Sequence, residues 1–229
     1  MTNMYPETMT WNPLGGECSH ACEYCYREDM MRFPAVKEKY TGKPYIALHE
    51  PLRKTDKVVF VCSMTDLFAE DVPNSMIKHI LKKCRDIPSN TYLFQSKNPG
   101  RVFEYIYRLP RKSIVGTTLE SNRANLVNRS PNAPTALDRI HGMLLLKEEN
   151  PRLLRMVSIE PIMDFDTGIF PNMLSRMDLA YVSIGADSKN KGLPEPSADK
   201  IERLISDLDQ FTEVRIKSNL ARLRNADTG

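Results

Sequence analysis

Three cysteines, Cys18, Cys22 and Cys25, fall within eight residues in the segment GGECSHACEYCYRED, with the spacing C-x3-C-x2-C. Thiolates ligate iron–sulfur clusters and zinc, and a pair separated by two residues bends around one metal or one cluster corner. Three such ligands leave one iron of a cubane without a protein donor, and a small molecule can coordinate there. The competing chemistry is zinc, completed by His20, Cys62 or Cys84, but no second C-x2-C or H-x3-H follows to make a zinc module of usual spacing. His20 lies inside the loop and is expected to face solvent. Cys84 falls on an apolar helical stripe and reads as an inert core thiol. Cys62 ends a strand run, and its role stays open. Five cysteines, three of them gathered together, suit a reducing compartment and a metal rather than a disulfide framework.

The elements that must position this loop are visible as short apolar, β-branched runs: KVVFVC (57–62), TYLFQ (91–95), SIVGTT (113–118), LLRMVSI (153–159), LAYVSI (179–184) and EVRIK (213–217). Continuous rather than alternating hydrophobicity marks strands buried on both faces. A further strand at Thr8–Trp11 leads into the cysteine loop. Between the runs lie amphipathic stretches. SMIKHILKKCRDIP carries Met76, Ile77, Ile80, Leu81 and Cys84 on one stripe, and Pro88 follows its end. Helices are also expected over 100–109, 135–149 and 198–211, where Ile201, Leu204, Ile205 and Leu208 repeat at i, i+3, i+4 and i+7. Strands and helices in alternation predict a parallel α/β sheet, doubly wound or curled into a barrel. The segment 189–198 is the one obvious long loop.

Each strand run ends in polar or small residues: Ser63, Thr65 and Asp66; Gln95, Ser96 and Lys97; Thr117, Thr118 and Glu120; Ser158 and Glu160; Ser183, Gly185 and Asp187; Lys217, Ser218 and Asn219. In parallel barrels and open α/β sheets the reactive site lies at the C-terminal ends of the strands, so these groups are expected to converge.

With 229 residues, 41% hydrophobic and 27% charged, the chain has the composition of an ordinary folded protein and is read as one domain over 1–229. The net charge of +3 is spread along the chain and neither demands nor excludes a nucleic-acid partner. The first residues show no basic segment followed by an apolar run, and no apolar stretch is long enough to span a bilayer. A cytoplasmic protein with no membrane partner is therefore expected.

Cys18, Cys22 and Cys25, with Tyr24 directly before the third cysteine, resemble the signature of the radical S-adenosylmethionine (radical SAM) superfamily. The longer context, with Tyr-Cys-Tyr at 24–26 and a histidine in the loop, is similar to its spore photoproduct lyase-like branch. TWNP (10–13), CSMTDLF (62–68) and SIEP (158–161) look like a phage and prokaryotic group of the same superfamily. The resemblance implies an α/β fold, a partial (β/α) barrel of six to seven mainly parallel strands with outer helices, and the cluster in the loop after the first strand. It implies a [4Fe–4S] cluster on the three cysteines, with S-adenosylmethionine chelating the open iron through its amino and carboxylate groups. It further implies an electron donor such as a flavodoxin or ferredoxin, reductive cleavage of the cofactor, and hydrogen abstraction from substrate by a 5′-deoxyadenosyl radical.

Other family roles are carried by position. The strand after the cluster loop usually ends in a Gly-Gly-Glu-like segment that receives the cofactor's amino group. Here that place reads CSMTDLF, a departure, with Ser63, Thr65 and Asp66 as the available acceptors. Glu120 and Ser158 are placed to meet the ribose or the carboxylate, Gly185 to admit the adenine, and Tyr24 to pack against the cluster or the adenine. Glu160, Asp187 and Lys217 are left for substrate. Six or seven strands leave the barrel open at its side, wide enough for a large substrate. Nucleic acid or a nucleotide is preferred, with Arg101, Arg108, Arg111, Lys112, Arg123 and Arg129 as candidate phosphate contacts. The rival reading is a zinc- or iron–sulfur-bearing nucleic-acid-binding module without catalysis.

Overall fold

The continuous apolar runs become parallel strands, and the amphipathic stretches between them become the crossovers that parallel pairing requires. The computed structural model describes residues 8–47, 50–127, 129–189 and 191–224; the remaining residues of the expected 1–229 domain lie outside the described set. The chain begins with β1 (Thr8–Trp11), β2 (Leu14–Gly15), α1 (Arg27–Met30), α2 (Pro34–Lys39) and β3 (Tyr45–Ile46). It continues through β4 (Val58–Val61), α3 (Asn74–Arg85), β5 (Thr91–Gln95), α4 (Pro99–Phe103), β6 (Ser113–Thr118), α5 (Ala124–Val127) and α6 (Ala136–Glu149). It ends with β7 (Leu154–Ile159), α7 (Ile169–Ser175), β8 (Tyr181–Ile184), α8 (Ala198–Leu208), β9 (Glu213–Ile216) and α9 (Ala221–Arg224).

Seven strands form one sheet in the order β1-β4-β5-β6-β7-β8-β9, and every neighbouring pair is parallel. The order follows the chain, so β1 and β9 are edges and the sheet is an open barrel. A separate antiparallel pair joins β2 to β3 beside the start of the cysteine loop.

Alternate residues of each strand go to two different clusters, because successive side chains point to opposite faces. Val59, Val61, Tyr92, Phe94, Val115, Val157, Ile159, Val182 and Ile184 join the large core with helix residues such as Ile77, Leu81, Met143, Leu174, Ile201 and Leu204. Phe60, Leu93, Ile114, Met156 and Tyr181 form a second, smaller cluster on the opposite, inner face. That cluster plugs the barrel interior with apolar side chains. Two or four residues further along the same faces come Thr118, Ser158 and Ser183, which are neighbours in register and buried. The inner surface thus changes from apolar to hydroxyl-bearing toward the strand C-termini.

The expected helix over 100–109 divides. α4 starts at Pro99 behind an Asn98 cap, stops at Phe103, and is followed by a 3₁₀ turn at Ile106–Arg108. Before the break, the buried Arg101 guanidinium donates to the Val72 carbonyl at 2.6 Å and to Asn74 Oδ1 at 3.0 Å, fixing α4 to the start of α3. Helix α7 was not expected from the pattern. It is short and holds Pro171, which is tolerated because it falls in the first turn.

Gly142 of α6 lies against α4, where an added Cβ would sit 2.5 Å from the Gly100 nitrogen and 2.8 Å from the Pro99 carbonyl carbon. Both are backbone atoms and cannot swing aside. Gly142→Ala is expected to lose roughly 1–2 kcal/mol of stability in denaturant unfolding, the overpacking outweighing the ~1 kcal/mol of helix propensity that Ala gains. An unchanged or raised midpoint would mean the two helices separate more readily than this contact implies.

Candidate functional site

The cysteine loop leaves the sheet after β1 and β2. It turns at Gly16, whose φ of +94° favours glycine and whose Cβ would meet the Lys43 carbonyl oxygen at 2.5 Å. Ala21 also takes a left-handed conformation, with φ +50°. The Cys25 N–H donates to the Cys22 carbonyl at 3.0 Å, closing the second half of the motif into a turn. All three thiols are free and half-buried. Burial, with the Asp66 charge next in effect, pushes the Cys18 thiol up to about 12, and burial also raises that of Cys25. Ligation of a metal here therefore releases protons.

His20, expected at the surface, is buried instead. Its Nε2 lies 2.7 Å from Asp66 Oδ2, and both side chains are withdrawn from water. Asp66 accepts three further hydrogen bonds: from Ser96 Oγ at 3.0 Å and the Lys97 N–H at 2.8 Å on Oδ2, and from the Phe68 N–H at 2.9 Å on Oδ1. Burial opposes its charge, but His20, Ser96 and the Lys97 amide together hold the carboxyl below its ordinary value. Asp66, expected to receive the cofactor's amino group, is thus met by four donors from the chain itself. Thr65, beside it, is buried with its Oγ1 unpaired among the described residues.

Glu120, just past β6, is fully buried and forms the second centre. Lys97 Nζ pairs with Oε1, Arg139 Nη1 with Oε2 at 3.0 Å, and the Tyr24 hydroxyl donates to the same carboxylate. Lys97 Nζ also donates to the Tyr24 oxygen at 2.7 Å. Burial works against ionisation of Glu120, yet the charges of Lys97 and Arg139 and the bonds from Lys97 and Tyr24 outweigh it, leaving the carboxyl below its ordinary 4.5. Tyr24 and Glu120, both assigned to the cofactor from sequence, therefore touch each other. Lys97 bridges the two centres, its amide on Asp66 and its ammonium on Glu120.

Across the mouth, Lys217 Nζ forms an ion pair with Glu160 Oε2. Burial lowers the Lys217 ammonium, and the Glu160 charge opposes that shift. Gly185, expected to admit an adenine, admits the Glu160 side chain instead: a Cβ there would lie 2.8 Å from its Oε1. Glu160, Gly185 and Lys217 are thus brought together at the tips of β7, β8 and β9. Asp187 is turned into its own loop, where its carboxylate accepts from the Lys189 and Lys191 amides. Ser63 Oγ donates to Asn12 Oδ1 at 3.2 Å, and its carbonyl accepts from the Tyr26 hydroxyl. Ser158 lies between Thr118 and Ser183 on the inner face, and Gln95 Nε2 donates to Thr118 Oγ1 at 3.1 Å. Thr118, Ser183, Lys97 and Arg139 were missed as site residues. The polar strand ends gave a signal for the first three, whereas nothing local marks Arg139.

The residues proposed to complete a zinc site lie elsewhere: His20 is on Asp66, and Cys62 and Cys84 are in the large core. Among the described residues no three His, Cys, Asp or Glu side chains are gathered closely enough to hold a single metal ion. A cubane takes its thiolates on separate irons and asks for a wider spacing. One observation fits such an anionic centre. Arg27, two residues after Cys25, is buried, and its Nε and Nη1 have no hydrogen-bond partner among the described residues.

The six basic residues considered for phosphate contacts do not all face the mouth. Arg101 is buried, and Arg108 lies in the 3₁₀ turn, with Arg111 and Lys112 following it before β6, at the end opposite the mouth. Arg123 pairs with Asp164 and Asp166, and Arg129 with Glu23.

The open barrel of seven parallel strands, with its cysteine loop after the first strand, is the partial (β/α) barrel of radical SAM enzymes. A family model described as "Protein of unknown function (DUF5131)" matches residues 2–188, and the chain belongs to that family. No curated protein matches the sequence. Among solved structures, spore photoproduct lyase complexed with dinucleoside spore photoproduct superposes with a TM-score of 0.64 at 12% identity, over 90% of this chain and 76% of the other. Streptococcus suis SuiB bound to S-adenosylmethionine gives 0.59 at 11% identity, over 93% and 48%. The same enzyme bound to precursor peptide SuiA gives 0.59 at 9%, over 98% and 52%. The chain spans about half the length of SuiB, and at these identities the likeness is one of fold. No helix among the described residues is long and apolar enough to cross a membrane.

Glu120→Gln keeps the shape of the side chain and leaves Lys97 and Arg139 buried without their counter-charge. A loss of about 3–5 kcal/mol is expected in urea unfolding at neutral pH. Because the folded carboxyl titrates below its ordinary 4.5, its contribution is complete above that value and is lost as the pH falls through the folded one. The gap between wild type and variant should therefore narrow only in acid, and a gap that closes between pH 8 and 6 would contradict this assignment.

Proposed function

We propose that the chain is a radical SAM enzyme in which Cys18, Cys22 and Cys25 bind a [4Fe–4S] cluster. The observation that carries this reading is a C-x3-C-x2-C loop at the C-terminal mouth of an open parallel barrel, beside a buried guanidinium with unpaired N–H groups. When bound, the cluster supplies the electron that splits S-adenosylmethionine and releases the 5′-deoxyadenosyl radical. Solved structures of the same fold include one with S-adenosylmethionine bound, which supports the cofactor.

The chain's own residues divide the remaining work. The hydroxyls of Thr118, Ser158 and Ser183 line the inner wall above the apolar plug and offer donors and acceptors to the cofactor's ribose or carboxylate. The plug of Phe60, Leu93, Ile114, Met156 and Tyr181 closes the barrel from below and excludes water. Glu160 and Lys217 face the far side of the mouth, where a substrate group of either charge can exchange for one partner of the pair. Asp187 shapes the loop beside them.

Substrate enters through the side left open between β1 and β9. A nucleotide-containing substrate is favoured over a peptide, since the likeness takes in 76% of the spore photoproduct lyase chain against 48% of SuiB. A flavodoxin or ferredoxin supplies the electron.

Anaerobic reconstitution with iron and sulfide, followed by dithionite and S-adenosylmethionine, tests the reading. Brown protein with about four irons per chain that releases 5′-deoxyadenosine is expected. Cys22→Ala should abolish release with the circular dichroism spectrum unchanged. Colourless protein that instead retains zinc, and yields no 5′-deoxyadenosine, would favour the non-catalytic binding module.

A further inference from the structure

The family pattern places an acceptor for the cofactor's amino group at the end of the strand after the cluster loop, and in this chain that place holds Asp66. We infer that Asp66 serves a different purpose: with His20 it positions the cysteine loop, and it is not the receiver of the amino group. The inference rests on the reading of Cys18, Cys22 and Cys25 as cluster ligands.

The loop between β2 and α1 forms no helix or strand. Between Cys18 and Cys25 its one backbone bond to another segment, among the described residues, runs from the Glu23 N–H to the Arg129 carbonyl at 2.9 Å, so side chains contribute much of its positioning. Three side-chain ties to it are exposed, Ser19 Oγ to Asp71 at 2.6 Å, Asn132 Nδ2 to the Ser19 carbonyl at 2.9 Å, and Arg129 to Glu23 at 2.8 Å, while Tyr24 on Glu120 anchors the stretch between Cys22 and Cys25. Water competes for each of the exposed three. His20 is different, for it stands between Cys18 and Cys22, is buried, and meets a buried carboxylate at 2.7 Å.

Asp66 is itself immobile. Ser96 and Lys97 fix it to the end of β5, and the Phe68 amide fixes it to its own loop. Of its two oxygens, Oδ2 takes three donors, from His20, Ser96 and the Lys97 amide, and Oδ1 takes the Phe68 amide. An incoming ammonium could reach the crowded Oδ2 only if His20 withdrew, and Oδ1 is held by the Phe68 amide of its own loop. Since His20 sits between two of the cysteines, its withdrawal would move the thiols as well. With Ser96, the Lys97 amide and the Phe68 amide still donating to Asp66, loss of the imidazole leaves the carboxylate satisfied and the fold intact, while the loop loses one of its two buried anchors and keeps only Tyr24 on Glu120.

Wild type, His20→Ala, His20→Gln and Asp66→Asn are to be reconstituted anaerobically. Iron and sulfide per chain, the rate of cluster loss to a chelator, the circular dichroism melt, and the change that S-adenosylmethionine makes in the electron paramagnetic resonance spectrum of the reduced cluster are then compared. His20→Ala should melt like wild type but lose its cluster roughly tenfold faster, the size of effect seen when a partner behind the metal ligands is removed. His20→Gln, which restores a donor, should recover most of the difference. The His20→Ala, Asp66→Asn double variant should lose the cluster no faster than the worse single variant, as two residues of one contact are coupled. Clusters that survive in Asp66→Asn should still respond to S-adenosylmethionine.

Cluster retention in His20→Ala equal to wild type would overturn the inference alone. So would an Asp66→Asn protein that keeps its cluster yet no longer responds to S-adenosylmethionine. If Asp66→Asn does not fold, the contrast between His20→Ala and His20→Gln decides. A wild-type chain that takes up no iron would overturn the cluster reading, and this inference with it.

Discussion

A carboxylate taken out of water is tolerated only where enough donors or opposite charges meet it, and two such carboxylates organise the mouth of this barrel. Asp66, beyond β4, gathers His20, Ser96 and the Lys97 amide. Glu120, beyond β6, gathers Tyr24, Lys97 and Arg139. Lys97 at the end of β5 belongs to both. The cysteine loop is therefore held at two points, His20 and Tyr24, one on either side of Cys22. Each point leads into the same continuous network across three strand tips. Hydroxyl or amide contacts at the surface would hold the loop far less firmly, because water competes for them.

The barrel is built so that this network has a firm base. Below it, the inner faces of five strands supply an apolar plug, and the outer faces pack on the helices. Depth in the barrel is thus set by side-chain size, with Met156 and Tyr181 giving way to Ser158 and Ser183 two residues later on the same strands. The edges stay open without inviting further pairing, for β9 carries Glu213 and Arg215 on its exposed face, and the Arg215 guanidinium lies 3.7 Å over the Tyr181 ring.

Much of this was legible in the amino-acid sequence, for a physical reason. Strand runs and helical stripes are local patterns, and seven strands with crossover helices appeared where the periodicity put them. The three cysteines were legible as a group because they lie within eight residues of one another. The elements overlooked were the two-residue strands β2 and β3 and the helices α1, α2, α5 and α9 of four to six residues, all too short to carry a pattern, and α7, whose Pro171 argues against a helix. Partner identity was the larger loss. His20 and Asp66 are 46 residues apart, and Tyr24 and Glu120 are 96 apart. A lone histidine in a polar loop gives no sign that a distant carboxylate will bury it. Polar strand ends correctly marked where groups converge, but could not say whether they converge on a ligand or on one another. Asp66, Tyr24 and Glu120 converge on the chain itself.

Charge balance links the network back to the thiols. At the cysteine loop, the buried Arg27 and Arg139 and the half-buried Lys97 stand against two buried carboxylates, Asp66 and Glu120. The other acids near Arg27, Glu17 and Glu28, are mostly exposed and screened by water. The lower-dielectric side of the loop thus carries an excess of positive charge. Three neutral thiols gain nothing from such an excess, whereas thiolates bound to iron are stabilised by it. The opposite wall, with Glu160 paired to Lys217, is balanced. An asymmetry of this kind would favour an anionic centre at the cysteines, whereas the β7–β9 side presents a charge-balanced wall.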